Sequence, residues 1–240
     1  MLLNKSRSNT WDELLTKEIL QQLDDIESQI GDDYTPMASQ ILRFMNQDLD
    51  KIKICIIGQD PYFSVANGDL VANGRSFQPS NLMSWSEKFR QVSLKNMIRL
   101  IHKTYNDIEK YEEIYKYKEI THDIENGTFA IKQPREWFDS MEEQGVLFLN
   151  RYLTTKLGTA NAHQKIWDDF MKSVIAFIGA KRPDMIWFLW GKEAISCMEI
   201  VGNGIFYTSR HPMMCSNKYD EDFLKAECFL KTKDIVHWLG

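Results

Sequence analysis

Four short apolar runs constrain this chain more than any other feature: Ile52-Lys53-Ile54-Cys55-Ile56-Ile57, Val146-Leu147-Phe148-Leu149, Met185-Ile186-Trp187-Phe188-Leu189-Trp190 and Ile205-Phe206-Tyr207-Thr208. Their length, near-continuous apolarity and β-branched or aromatic content predict strands buried on both faces, the habit of a parallel sheet. Apolar spacing of three and four predicts helices over Thr10 to Ile30, Ser93 to Tyr105, His163 to Gly179, Lys192 to Val201 and Asp220 to Leu239. Strands alternating with helices make an α/β layered fold. The stretch from Asn106 to Lys132, rich in Tyr, Lys and Glu, is predicted as an exposed charged helix with a following loop.

Each run passes at once into polar or special-geometry residues: Gly58-Gln59-Asp60-Pro61, Asn150-Arg151, Gly191-Lys192 and Ser209-Arg210-His211-Pro212. Turns after strands use such residues anyway, so one cluster alone says little. In open α/β sheets, however, ligands bind beyond the carboxyl ends of the strands. An Asp, an Asn and a His delivered there from three strands make a candidate site.

With 240 residues and 43% apolar content, the chain is long enough for a sizeable core, and one domain over 1–240 is expected. No run reaches the length of a membrane span, and Met1-Leu2-Leu3-Asn4-Lys5-Ser6 leads into polar sequence rather than the apolar core of a signal peptide. The expectation is a soluble protein, cytoplasmic or nuclear and not secreted, with no membrane partner. Cys55, Cys197, Cys215 and Cys228 lack C-x-x-C spacing, and the histidines His102, His122, His163, His211 and His237 are scattered, so neither a metal nor a disulfide framework is expected. A formal charge of −5 argues against wrapping nucleic acid through bulk positive charge, but not against an enzyme with a local basic face.

Gly58-Gln59-Asp60-Pro61-Tyr62, Ser93-Leu94-Lys95-Asn96, Gly145-Val146-Leu147-Phe148-Leu149-Asn150 with Leu153-Thr154, Trp190-Gly191 and His211-Pro212 occur in this order. Together they resemble the ordered motifs of uracil-DNA glycosylases, from about Thr10 to Trp238. The resemblance implies a single-domain, three-layer α/β/α fold around a central four-stranded parallel sheet. It also implies a hydrolase without cofactor that cleaves the N-glycosidic bond of a deoxyuridine flipped out of single- or double-stranded DNA. A monomer and a proteinaceous inhibitor as partner come with the same resemblance.

On this resemblance Asp60 positions the attacking water and stabilises the positive charge developing on the sugar. His211 stabilises the departing uracil anion through O2, and the backbone N–H groups of Gln59 and its neighbours offer further donors to that oxygen. Asn150 reads the base edge, because an amide offers an acceptor to uracil N3–H and a donor to O4. Tyr62 walls the place of the thymine methyl, and Phe77 stacks on the base. Ser93, Lys192 and Ser216 are candidate phosphate contacts, although a Ser at a helix start is often only a cap. His163 falls near a family histidine that helps to hold the active-site loops.

The chain departs from the pattern in three places. Phe63 stands where the family has His, a hydrogen-bonding ring beside Asp60. Ser64 to Asn73 is unlike the usual Gly-Pro-Gly continuation. After His211 the chain reads Met213-Met214-Cys215-Ser216, so Cys215 occupies the place of the Leu that wedges into the duplex. Either Met213 or Met214 takes over as wedge, or single strands are favoured. The departures also motivate a glycosylase-fold DNA-binding or replication-accessory module with weak or no catalysis, or an enzyme for a modified uracil. Against the former stands the joint presence of Asp60, Asn150 and His211, none of which binding alone requires. An unrelated nucleotide-binding enzyme lacks both a G-x-G-x-x-G and a phosphate-loop motif.

Overall fold

The computed structural model describes Leu2, Leu3 and residues 6–240; the Met1, Asn4 and Lys5 part of the leader expectation lies outside the described residues. The strands are β1 (Ile54–Gly58), β2 (Val65–Ala66), β3 (Asp69–Leu70), β4 (Val146–Asn150), β5 (Ile186–Trp190) and β6 (Ile205–Ser209). The helices are α1 (Lys17–Ile30), α2 (Ala38–Ile41), α3 (Val92–Tyr105), α4 (Tyr117–Glu125), α5 (Pro134–Glu143), α6 (Gln164–Lys181), α7 (Lys192–Ile195), α8 (Cys197–Val201) and α9 (Cys228–Thr232). Four strands form a parallel sheet in the order β4-β1-β5-β6.

Side chains alternate across a strand, and here the alternation sorts one continuous apolar run into two cores. Cys55, Ile57, Leu147, Leu149, Trp187 and Leu189 pack on one face with α1, α6 and α8. Ile54, Ile56, Val146, Phe148, Ile186, Phe188 and Trp190 pack on the other with α3, α5 and the C-terminal segment. Helices therefore cover both faces, the expected three layers. β6 departs from the expectation of strands buried on both faces: Ile205 is 50% exposed, whereas β4, at the other edge of the sheet, is buried throughout.

Three helix expectations are corrected. The pattern from Thr10 does not run through as one helix, since the Thr16 side chain accepts the Ile19 N–H and caps α1 there, after a short 3-10 turn at Asn9–Trp11. The Lys192 to Val201 stretch is two short helices, α7 and α8. Asp220 to Leu239 is broken as well: Asp222 accepts from Leu224 N–H to start a 3-10 turn at Phe223–Lys225, and only α9 follows.

The 106–132 segment contains α4, but it is not simply an exposed helix. Ile114, Ile120, Phe129 and Ile131 enter the second core, and the Tyr117 hydroxyl donates to Trp85 O at 2.8 Å. No helix among the described residues is long and apolar enough to cross a membrane. The cysteines are free thiols, three of them buried and Cys215 half-buried.

Candidate active site

Register decides where the site lies. Gly58 pairs with Asn150, and Trp190 pairs with Ser209, so the sheet ends level at its carboxyl edge. The chain runs from β1 outward to β4 and then crosses back over β1 to β5, so the strand order reverses beside β1, a topological switch where open α/β sheets leave a crevice. A cavity of about 280 Å³ opens there, lined by Gln59, Asp60, Tyr62, Phe77, Asn150 and His211 together with Phe63, Arg75, Ser93 and Met213. A second cavity of about 190 Å³ adjoins it through Gly58, Gln59 and His211 and is lined by Gly191 and Lys192.

Close backbone approach makes the floor. A Cβ on Gly58 would stand 2.6 Å from Asn150 Oδ1 and 2.7 Å from Ser76 Cβ, so only glycine lets the Asn150 amide lie across β1. Asn150 itself is 3% exposed. At the neighbouring strand end, Gly191 has φ +89°, and a Cβ there would lie 3.0 Å from His211 Cβ. The polar residues legible at the strand ends thus need glycines beside them.

Asp60 is held by the far side of the site. Its Oδ2 accepts the Asn161 backbone N–H at 2.8 Å, while the Asn161 side-chain oxygen accepts from Gln59 Nε2 at 2.7 Å. Burial raises the Asp60 carboxyl above its ordinary range, and the N–H groups of Asn161 and of Asp60 itself work against that rise.

His211 accepts the Met213 backbone N–H on Nδ1 at 3.1 Å. An imidazole that accepts on one nitrogen carries its proton on the other, so Nε2 is the donor of the neutral ring. Burial lowers the His211 pKa, which favours that neutral form. The loop is fixed from α3: Asn96 Nδ2 donates to Pro212 O at 2.6 Å, and Arg99 donates to the Asn96 oxygen at 3.0 Å.

The aromatic wall is rigid. The Tyr62 hydroxyl donates to Phe77 O at 2.9 Å, and burial pushes that phenol well above its usual pKa. Phe77 sits at φ +64°, a left-handed conformation that costs a bulky residue roughly 1–2 kcal/mol, with its ring 5.8 Å from that of Trp190. Such strain persists where the surroundings over-determine it. Arg75, two residues earlier and 4% exposed at its side chain, bonds Gln78 at 2.9 Å and pairs with Asp139 at 2.8 Å and with Glu142, tying this loop to α5.

Not every candidate joins the cavity. Ser93 lines it from the first turn of α3, whose N-cap is Gln91, so Ser93 is not the cap. Met213 and Met214 are 55% and 60% exposed. Cys215 turns inward: its Sγ lies 3.3 Å from Pro212 O, it packs against the second core, and burial pushes its thiol up to about 12. Ser216 donates its backbone N–H to Asp222 at 2.5 Å. His163 bonds Thr154 Oγ1 at 2.9 Å, which also accepts from Trp167 at 2.6 Å, and these bonds brace the loop that carries Asn161.

Sequence reasoning missed Asn161, Arg75 and the β2–β3 hairpin. The hairpin had a legible signal, since Asn67-Gly68 at φ 54° and 90° is the dipeptide of a type I′ turn. Asn161 and Arg75 had none, because their partners are distant in sequence.

No family model matches the chain. The uracil-DNA glycosylase of Deinococcus radiodurans is 30% identical over 240 residues, covering 96% of this chain and 83% of that protein. That of Agathobacter rectalis is 28% identical over 229 residues, covering 89% and 88%. Among solved structures, the UNG of Nitratifractor salsuginis superposes with a TM-score of 0.70 at 19% identity, covering 96% of this chain and 93% of that one. The mimivirus uracil-DNA glycosylase gives 0.64 at 22% identity over 88% and 70%, and a variant of it is solved in complex with UGI.

Proposed function

Because the chain belongs to the uracil-DNA glycosylase family, we propose that it excises uracil from DNA by hydrolysing the N-glycosidic bond of a flipped deoxyuridine. The observation that carries this reading is the delivery of Asp60, Asn150 and His211 from three strand ends into one cavity. The Asn150 amide presents an acceptor and a donor to the uracil edge, and cytosine, with the reversed pattern, would leave both unpaired. As the bond breaks, negative charge develops on the base and positive charge on the sugar. His211 Nε2–H, fixed as the donor by the Met213 bond, stabilises the uracil anion at O2 while the ring stays neutral. Backbone N–H groups at Gln59 add to that stabilisation.

Asp60, ionised and held through Oδ2 by Asn161, positions water and stabilises the sugar cation. Tyr62, locked to Phe77 O, blocks a thymine methyl, and Phe77 stacks on the base. Phosphates on either side fall to Ser93, Lys192 and Ser216. The partner is uracil-containing DNA, single- or double-stranded. We further propose one domain over 1–240 acting as a monomer inside the cell, and a proteinaceous inhibitor, for which the complex of the mimivirus variant with UGI is the support.

The test is direct. Oligonucleotides carrying one uracil, thymine or cytosine are incubated with the protein and scored for alkali-labile abasic sites, with Asp60→Asn and His211→Ala in parallel. Release from uracil alone, lost in both variants, is expected. No release would favour the DNA-binding or accessory module, and release undiminished in both variants would overturn the roles given to Asp60 and His211.

A further inference from the structure

Phe63 is a family departure that lines the candidate active-site cavity, and its surroundings give it a task. It follows Tyr62 directly, lines the same cavity as Asp60 and His211, and is 42% exposed. A large apolar ring half in water at the rim of a base-sized cavity is a surface waiting for a flat partner.

Its backbone cannot drift. The residue before it is tethered at both ends, by the Tyr62 hydroxyl to Phe77 O at 2.9 Å and by Thr35 Oγ1 to Tyr62 O at 3.3 Å. Phe63 O itself accepts from Gly158 N at 2.8 Å, and Ser64 O accepts from Val71 N at 3.1 Å as the β2–β3 hairpin opens. The ring therefore rides on a fixed frame, as a stacking platform must.

Within the cavity a stacking partner already exists, since Phe77 is anchored against Trp190. The same cavity is lined by a flexible apolar side chain, Met213, on the loop that carries His211, while Cys215 is turned toward the core. Two exposed apolar side chains thus border the cavity, and one of them offers an aromatic face. A phenylalanine has no hydrogen-bonding group with which to support Asp60 or a water. What it offers is a π-face, and every unpaired nucleobase presents a matching one.

We propose that Phe63 is a specificity-determining residue on which the base adjoining the flipped uracil stacks in single-stranded DNA, so that an unpaired strand is gripped without a duplex wedge. This rests on the uracil-excision reading and deepens it. In a duplex the adjoining base is already stacked and paired, so the platform favours single strands.

The experiment uses single-stranded oligonucleotides with one uracil and 2-aminopurine immediately 5′ or 3′ of it, bound to full-length Asp60→Asn protein, with fluorescence quenching reporting stacking. One of the two probes is expected to be quenched. Phe63→Ala abolishes that quenching, Phe63→Trp keeps it, and thermal melts confirm that each variant folds. In the protein with Asp60 intact, Phe63→Ala raises KM on single strands by about ten-fold, with a smaller effect on kcat. Quenching that survives Phe63→Ala, or a parent protein that binds and quenches neither probe, overturns the proposal whatever happens to KM. Absence of uracil release by the unaltered protein sinks the functional reading itself, whereas release with unaltered quenching in Phe63→Ala sinks only this one.

Discussion

The backbone N–H of Asn161 donates to Asp60 Oδ2 at 2.8 Å, joining two residues 101 positions apart in the chain. Asn161 adopts φ +60°, a left-handed conformation that Asn tolerates better than most residues, and the same residue accepts from Gln59 Nε2. One side chain and one amide thus set the orientation of both residues that follow β1.

Asn161→Ala should disturb both contacts. The left-handed φ becomes costly by roughly 1–2 kcal/mol, and a carboxylate displaced by a fraction of an ångström loses about ten-fold in kcat. Asn161→Gly keeps the backbone conformation and removes only the bond to Gln59, so it should retain more kcat than Ala does. The same comparison has a second readout. Loosening the Asn161 N–H raises the Asp60 pKa further, so the acid limb of the rate profile should move to higher pH in Asn161→Ala. Equal kcat and an unmoved limb in both variants would show that Asn161 positions nothing.

The pH profile of the unaltered protein follows from two shifts. Asp60 must be ionised and its pKa is raised from 3.8, whereas His211 must be neutral and its pKa is lowered from 6.5. The limb that His211 contributes to uracil release should therefore lie below 6.5. A kcat/KM titration with a limb centred at or above the ordinary imidazole value would contradict the burial of His211.

Stability carries the opposite sign at Asp60. A carboxyl whose folded pKa is raised stabilises the fold most below the unfolded value of 3.8, and that contribution is lost as pH rises through the folded value. At neutral pH the ionised group is a liability, so Asp60→Asn should raise Tm while removing activity, by on the order of 10²-fold or more. His211 has a depressed pKa, so its contribution is present above 6.5 and is lost as pH falls through the folded value. Melting curves at neutral pH decide the first point: a lower Tm in Asp60→Asn would refute it.

Gly191→Ala should damage catalysis more than stability. Its Cβ would lie 3.0 Å from His211 Cβ at φ +89°, so the backbone strain of roughly 1–2 kcal/mol is joined by a shove on the leaving-group donor. A ten- to hundred-fold fall in kcat, order of magnitude, is expected in single-turnover release. A kcat within about two-fold of the parent would mean that His211 can shift without penalty.

Replacing Met213 and Met214 together by Ala separates the remaining ways of engaging DNA. Both side chains are largely exposed while Cys215 faces inward, so on this loop the Met pair is placed to enter a duplex. Duplex substrates should lose about ten-fold or more in kcat/KM, with single strands less affected. A strong duplex preference that survives the double substitution would remove the Met wedge and the single-strand preference alike.

Local chemistry made much of the fold legible. Runs such as Cys55-Ile56-Ile57 and Trp187-Phe188-Leu189 are too short and too apolar for anything but buried strands, and the residues at their ends mark where the sheet stops. Element edges were less legible, as in the C-terminal region, where Asp222 accepts from Leu224 N–H and Thr232 Oγ1 accepts from Trp238 Nε1, holding short turns against apolar spacing that predicts a helix. The 106–132 segment looked solvated because charge dominates its composition, yet four of its apolar side chains are recruited by the second core.

By itself, then, the sequence determined the layered α/β architecture and the identities of the groups at the strand ends, since both depend on periodicities of two and of three to four within a few residues. Tertiary structure alone decided their aim. Asn161 meets Asp60, Gly58 clears the way for Asn150, Arg75 is anchored to α5, Cys215 turns in and Phe63 turns out. Each of these depends on backbone approach or pairing between distant segments, and such contacts leave no local pattern because either partner alone is compatible with many surroundings.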